Sequence, residues 1–166
     1  MFAHLPPSAR LWLFALDGPV PEALLADVRA FCAGWTSHGR TVAAAADVLA
    51  EVVVAVAAQI SDAEVNAGVS GCGIDAMQHA VEGAAARYDR ALAPALAVTV
   101  RDAEGTWRTV PRPAFRRLVR DGEAGPETRV LDLTPATLGA LTAAGGVERA
   151  AAEAWHGVSF GLHPVL

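Results

Sequence analysis

A cysteine set between two glycines, in Ser70-Gly71-Cys72-Gly73-Ile74-Asp75, is the part of this chain best suited to chemistry. A thiol just ahead of a helix lies beside unsatisfied N–H groups and the positive end of the macrodipole, which lowers its pKa and favours thiolate. Glycines at 71 and 73 let a substrate come close to the backbone, and the same amides form an anion nest. Asp75, followed three residues later by Gln78, reads as a capping box that opens a helix over about 75–89. The same six residues also suit a tight turn around a small apolar cysteine.

The natural partner is His38, placed by the sequence pattern at the end of the first helix. A general base must reach the thiol it deprotonates. Two antiparallel helices on one sheet face would bring the end of the first near the start of the second. A histidine in a last helical turn is equally well explained by the helix dipole. Asp62 and Glu64 precede the cysteine and would orient such a base, or serve as ordinary loop carboxylates. Cys32 differs in kind, falling on an apolar stripe beside Phe31 as a core residue. No zinc-type spacing links Cys32, His38 and Cys72, and His4, His79, His156 and His163 are scattered, so neither metal nor cofactor is implied. Arg112, Arg116, Arg117 and Arg120 form a basic face that reads as a solvated helix surface or a contact for an acidic partner.

The elements that must position these residues follow from periodicity. Arg10–Leu16 reads as a strand, closed by Asp17-Gly18-Pro19. Leu24, Leu25, Val28, Phe31, Cys32 and Trp35 recur at helical spacing, with Gly39 as the stop. The β-branched Val52, Val53, Val54 and Val56 favour two strands over 41–58, turning around Asp47–Glu51. After the 75–89 helix, Leu96–Arg101 and Thr106–Val110 form a hairpin around Asp102-Ala103-Glu104-Gly105. The order is β-α-β-β-α-β, that of a ferredoxin-like unit, and the fold class is α+β. One domain is expected, with a core over about 1–110 and an extension over about 111–166. The extension contains a basic helix from Pro113, a strand over 129–133 and a final helix over about 147–155.

Composition narrows the function classes. The 166 residues are 53% hydrophobic and 19% charged, which excludes disorder. All 13 basic residues are Arg, so both the P-loop lysine and lysine Schiff-base chemistry are excluded. A net charge of −5 argues against coating nucleic acid by charge. Val42–Ile60 approaches the length of a membrane span, yet it carries Asp47 and Glu51 near its middle and reads as part of a soluble protein. Met1–Arg10 does not read as a signal peptide, and two cysteines without export signals suggest reduced thiols in the cytoplasm.

Trp35-x-x-His38-Gly39, Ser70-Gly71-Cys72-x-Ile74-Asp75 and Trp155-His156 together resemble a family of small bacterial proteins of uncharacterised activity. That family often carries the label "ABC transporter ATPase", which the missing lysine does not support here. Members commonly have Ser at the place of Gly73 and further Ser after Asp75, where this chain has Ala76. The resemblance implies a site at Cys72 and His38, with Ser70, Gly71, Gly73, Asp75 and Trp35 as ligand-binding residues. The expected function is a small thiol-dependent enzyme with Cys72 as nucleophile or redox thiol and His38 as base. The alternatives are a module binding a small anionic ligand, or an interaction adaptor using a sheet edge or Arg116 and Arg117.

Overall fold

The computed structural model describes residues 2–37, 39–60 and 70–163. In chain order these form β1 (Arg10–Ala15), α1 (Glu22–Gly34), β2 (Thr36–Ser37), β3 (Arg40–Leu49), β4 (Val53–Ile60), α2 (Gly71–Arg87), β5 (Val98–Arg101) and β6 (Trp107–Val110). There follow α3 (Arg112–Arg120), β7 (Arg129–Leu131), α4 (Leu138–Ala143), β8 (Glu148–Ala150), a 3₁₀ turn (Ala151–Glu153) and α5 (Trp155–Phe160). The class is α+β, with two antiparallel four-stranded sheets ordered β1-β4-β3-β2 and β6-β5-β7-β8.

The expected β-α-β-β-α-β succession is present from β1 to β5, with β2 as a short addition. Sheet membership is where the structure departs from a ferredoxin-like unit. The first three long strands keep that unit's arrangement: β4 lies antiparallel between β1 and β3, pairing with β1 from Arg10↔Ala58 to Ala15↔Val53. β5 leaves the first sheet and pairs with β6 and β7. The second sheet therefore joins 98–110 to 129–150, across the boundary expected near residue 110.

Alternation along β4 explains its unbroken apolar run. Val54, Val56 and Ala58 face α1 and α2, meeting Leu24, Val28, Met77 and Val81. Val53, Ala55 and Ala57 face the other way, onto Leu5, Trp107, Leu131 and Leu138. Opposite faces of one strand must alternate, and here both are buried. A third cluster lies within the second half, where Phe115 packs with Val98, Val130, Ala151 and Leu162. Gly157 belongs to this tight region: a Cβ there would stand 2.6 Å from the Ala152 carbonyl oxygen.

Three element boundaries differ from expectation. α1 ends at Gly34, because the chain turns extended at Trp35 and Thr36–Ser37 pair with Arg40–Thr41. α2 begins at Gly71 and not at Asp75, as Ser70 takes the N-cap. The final helix expected over 147–155 is instead β8 and the 3₁₀ turn, with α5 starting only at Trp155. Pairing of Glu148–Ala150 with Arg129–Leu131, reinforced by Arg129 Nε on Glu148 Oε1 at 3.1 Å, overrides the helix propensity of the alanines.

Candidate functional site

Ser70 organises the cysteine turn. Its Oγ accepts from the Gly73 amide at 3.2 Å, satisfying one of the first-turn donors. The same hydroxyl lies 2.7 Å from Ser37 Oγ, and the Ser70 amide donates to Ser37 Oγ at 3.4 Å. Ser37 is buried on β2, so a two-residue strand anchors the start of a 17-residue helix. Sequence reasoning missed Ser37, whose only signal was a serine beside the Trp35-x-x-His38-Gly39 motif.

Within α2, Gly71 is the first helical residue and Cys72 the second. Cys72 is exposed and free. A Cβ at Gly71 would meet nothing within 4 Å among the described residues. Gly73 is buried on the inner face of the helix. Asp75 is exposed beyond the cap, and Gln78 donates to Glu82 Oε1 at 3.0 Å instead of closing a capping box. Trp35 is buried in the core, its ring 5.4 Å from Phe31 and 6.2 Å from Trp12. Its Nε1 has no hydrogen-bond partner among the described residues. His38, Asp62 and Glu64 lie outside the described residues. Cys32 is buried on α1, and burial pushes its thiol up to about 11, far from thiolate at neutral pH.

A second polar locus lies in the other half of the molecule. His156 is fully buried, with neither ring nitrogen hydrogen-bonded among the described residues. Its ring stacks on Trp155 at 3.9 Å between centroids and meets Phe115 edge-on at 6.2 Å. Burial pushes its pKa down to about 4, Asp132 opposing the shift and Arg112 adding to it. Asp132 is itself buried and accepts from the Thr134 hydroxyl at 2.6 Å and the Thr134 amide at 3.1 Å. Arg149 stands 4.0 Å from its other oxygen. Among the described residues no group of three or more His, Cys, Asp or Glu could hold a metal ion. No helix among them is long and apolar enough to cross a membrane.

Fold and site together define an α+β protein of two antiparallel sheets with an exposed thiol on the first turn of its longest helix. The chain matches no protein-family model, no curated protein and no solved structure.

Proposed function

We propose that the chain is a small thiol-dependent enzyme acting through Cys72, as nucleophile or redox thiol, with His38 taking the thiol proton. The observation that carries this reading is the exposure of Cys72 at the second residue of α2, beside the first-turn amides. Supporting it is the hydroxyl pair of Ser37 and Ser70, which fixes the turn against β2. Among the described residues nothing crowds Gly71, and the amides of residues 71–73 would face charge developing on a substrate. The motif likeness to a bacterial family belongs to this proposal and adds no activity to it.

Alkylation of the native protein by iodoacetamide across pH tests the reading. Cys72 should label at least about 100-fold faster than the buried Cys32. His38→Ala should slow the labelling of Cys72. Labelling of Cys72 no faster than that of a short peptide thiol would sink the proposal. The second reading, a module that binds a small anion on the same first-turn amides, is favoured by the lack of crowding at Gly71 among the described residues. It predicts that Cys72→Ser leaves anion binding intact.

A further inference from the structure

The first sheet has an unfinished edge. One side of β1 is paired with β4, while the other is covered by described residues only at its ends. At one end the Leu11 amide donates to the Ala136 carbonyl at 2.9 Å and Arg10 bridges to Thr137. At the other the Ala93 amide donates to the Ala15 carbonyl at 2.8 Å, and the Asp17 amide to Ala91 at 3.0 Å. Alternate residues of an antiparallel strand aim their N–H and C=O at the same edge. Leu13, between Leu11 and Ala15, therefore presents both groups to the gap, and no described residue bonds them there.

The gap opens into a cleft of about 380 Å³ between the two sheets, walled by Leu13 and Ala15 on one side and Leu131 and Leu133 on the other. Arg112 and Trp155 also line it. The Arg112 guanidinium lies 5.2 Å over the Trp155 ring and 5.6 Å over Phe160. No carboxylate among the described residues lies within ion-pair distance of it. At the rim, the 94–97 turn holds Leu96 in the left-handed region at φ 65°, with the residue 69% exposed. Strain of this kind in a bulky residue persists only where the surroundings impose it.

The charge in the cleft is a single planar fork and not an amide nest. Pro113 has no N–H, and the amides of Ala114 and Phe115 already donate to the Pro111 carbonyl. One guanidinium matches a carboxylate in charge and in bidentate geometry, whereas a phosphate ester dianion would need further cations or amides. The unpaired Leu13 carbonyl matches the N–H of one ligand amide, and the aliphatic walls match an apolar side chain.

We propose that this cleft binds a small N-acylated amino acid with an apolar side chain, its carboxylate on Arg112 and its amide N–H donating to the Leu13 carbonyl. The site is separate from Cys72, and its failure would leave the thiol reading untouched.

Isothermal titration with N-acetylleucine should show saturable binding with Kd at or below about 1 mM. The uncharged N-acetylleucinamide should bind at least about tenfold more weakly. Octanoate, which keeps the charge and lacks the amide, should bind more weakly by roughly three- to tenfold. Arg112→Gln should weaken N-acetylleucine at least about tenfold with an unchanged thermal melt. Leu133→Trp, which fills the cleft and keeps Arg112, should abolish binding and covers the case in which Arg112→Gln does not fold. Absence of saturation, equal binding of the amide, or unchanged binding by Arg112→Gln would overturn the site. Octanoate binding as tightly as N-acetylleucine would overturn the role of Leu13.

Discussion

The two sheets have four strands each and are held together by opposite means. The first uses long strands of small aliphatic residues, ten in β3 and eight in β4, with Val53–Ala58 almost wholly removed from water. The second uses strands of three or four residues, tied by Arg101 and Arg129 to Glu148 and backed by Phe115, Trp155, His156 and Phe160. Unpartnered buried side-chain polar atoms follow the same division among the described residues. Trp35 Nε1 belongs to the first half, while Arg101 Nε, Trp107 Nε1 and both nitrogens of His156 belong to the second. Apolar burial is indifferent to pH, whereas an unpaired buried imidazole is not. The first half is thus sensitive to volume and the second to protons.

The largest effect that would sharpen this contrast is acid destabilisation through His156. Its folded pKa of about 4 lies below the ordinary 6.5, so above pH 6.5 it is neutral in both states and its contribution is intact. Between pH 6.5 and 4 the unfolded chain takes up a proton that the folded one refuses, and stability falls by up to about 3 kcal/mol. Urea denaturation at pH 7 and pH 4.5 should show this loss in the native chain and a much smaller one in His156→Leu. Parallel losses in the two proteins would break the contrast.

Next in size is the cap of α2. Ser70→Ala should cost about 1 kcal/mol in chemical denaturation, and Asp75→Ala less than about 0.5 kcal/mol. The reverse order would move the helix start back to Asp75. The smallest effect lies in the β3–β4 turn, where Ala50 and Glu51 have φ of 47° and 65°. Backbone bonds impose that shape, since the Val20 amide donates to the Glu51 carbonyl and the Leu16 amide to Val52. Relief of left-handed strain, less the added freedom of the unfolded chain, should let Glu51→Gly raise stability by about 0.5–1 kcal/mol in thermal melts.

What the sequence disclosed follows the same division. Leu24, Leu25, Val28 and Cys32 are buried on α1 as their spacing requires, and the β-branched run did become a hairpin. Both signals are local. The partner of β5 is not, because a short strand of alternating residues carries no mark of which sheet it joins. The start of α2 was misjudged because Ser70 and Asp75 are both good caps, and glycines at 71 and 73 resemble a loop even when helical. His156 passed as one of several scattered histidines; its burial and its neighbours come from α3, β7 and α5 converging, which no spacing encodes. At the thiol, burial of Cys32 agrees with the sequence reading, exposure of Cys72 is a point the sequence left open between a reactive thiol and a small apolar residue, and Ser37 emerged only from pairing between β2 and β3.

Burial of β4 on both faces has a consequence for cooperativity. The helical layer and the second sheet do not own separate walls: Val54 and Val56 serve one core, and Ala55 and Ala57 the other, on a single strand. Withdrawing either layer would expose half of that strand's side chains while its backbone stayed paired to β1 and β3. Neither half can loosen without charging the cost to the other, so the sparsely stranded, proton-sensitive sheet borrows the persistence of the aliphatic one.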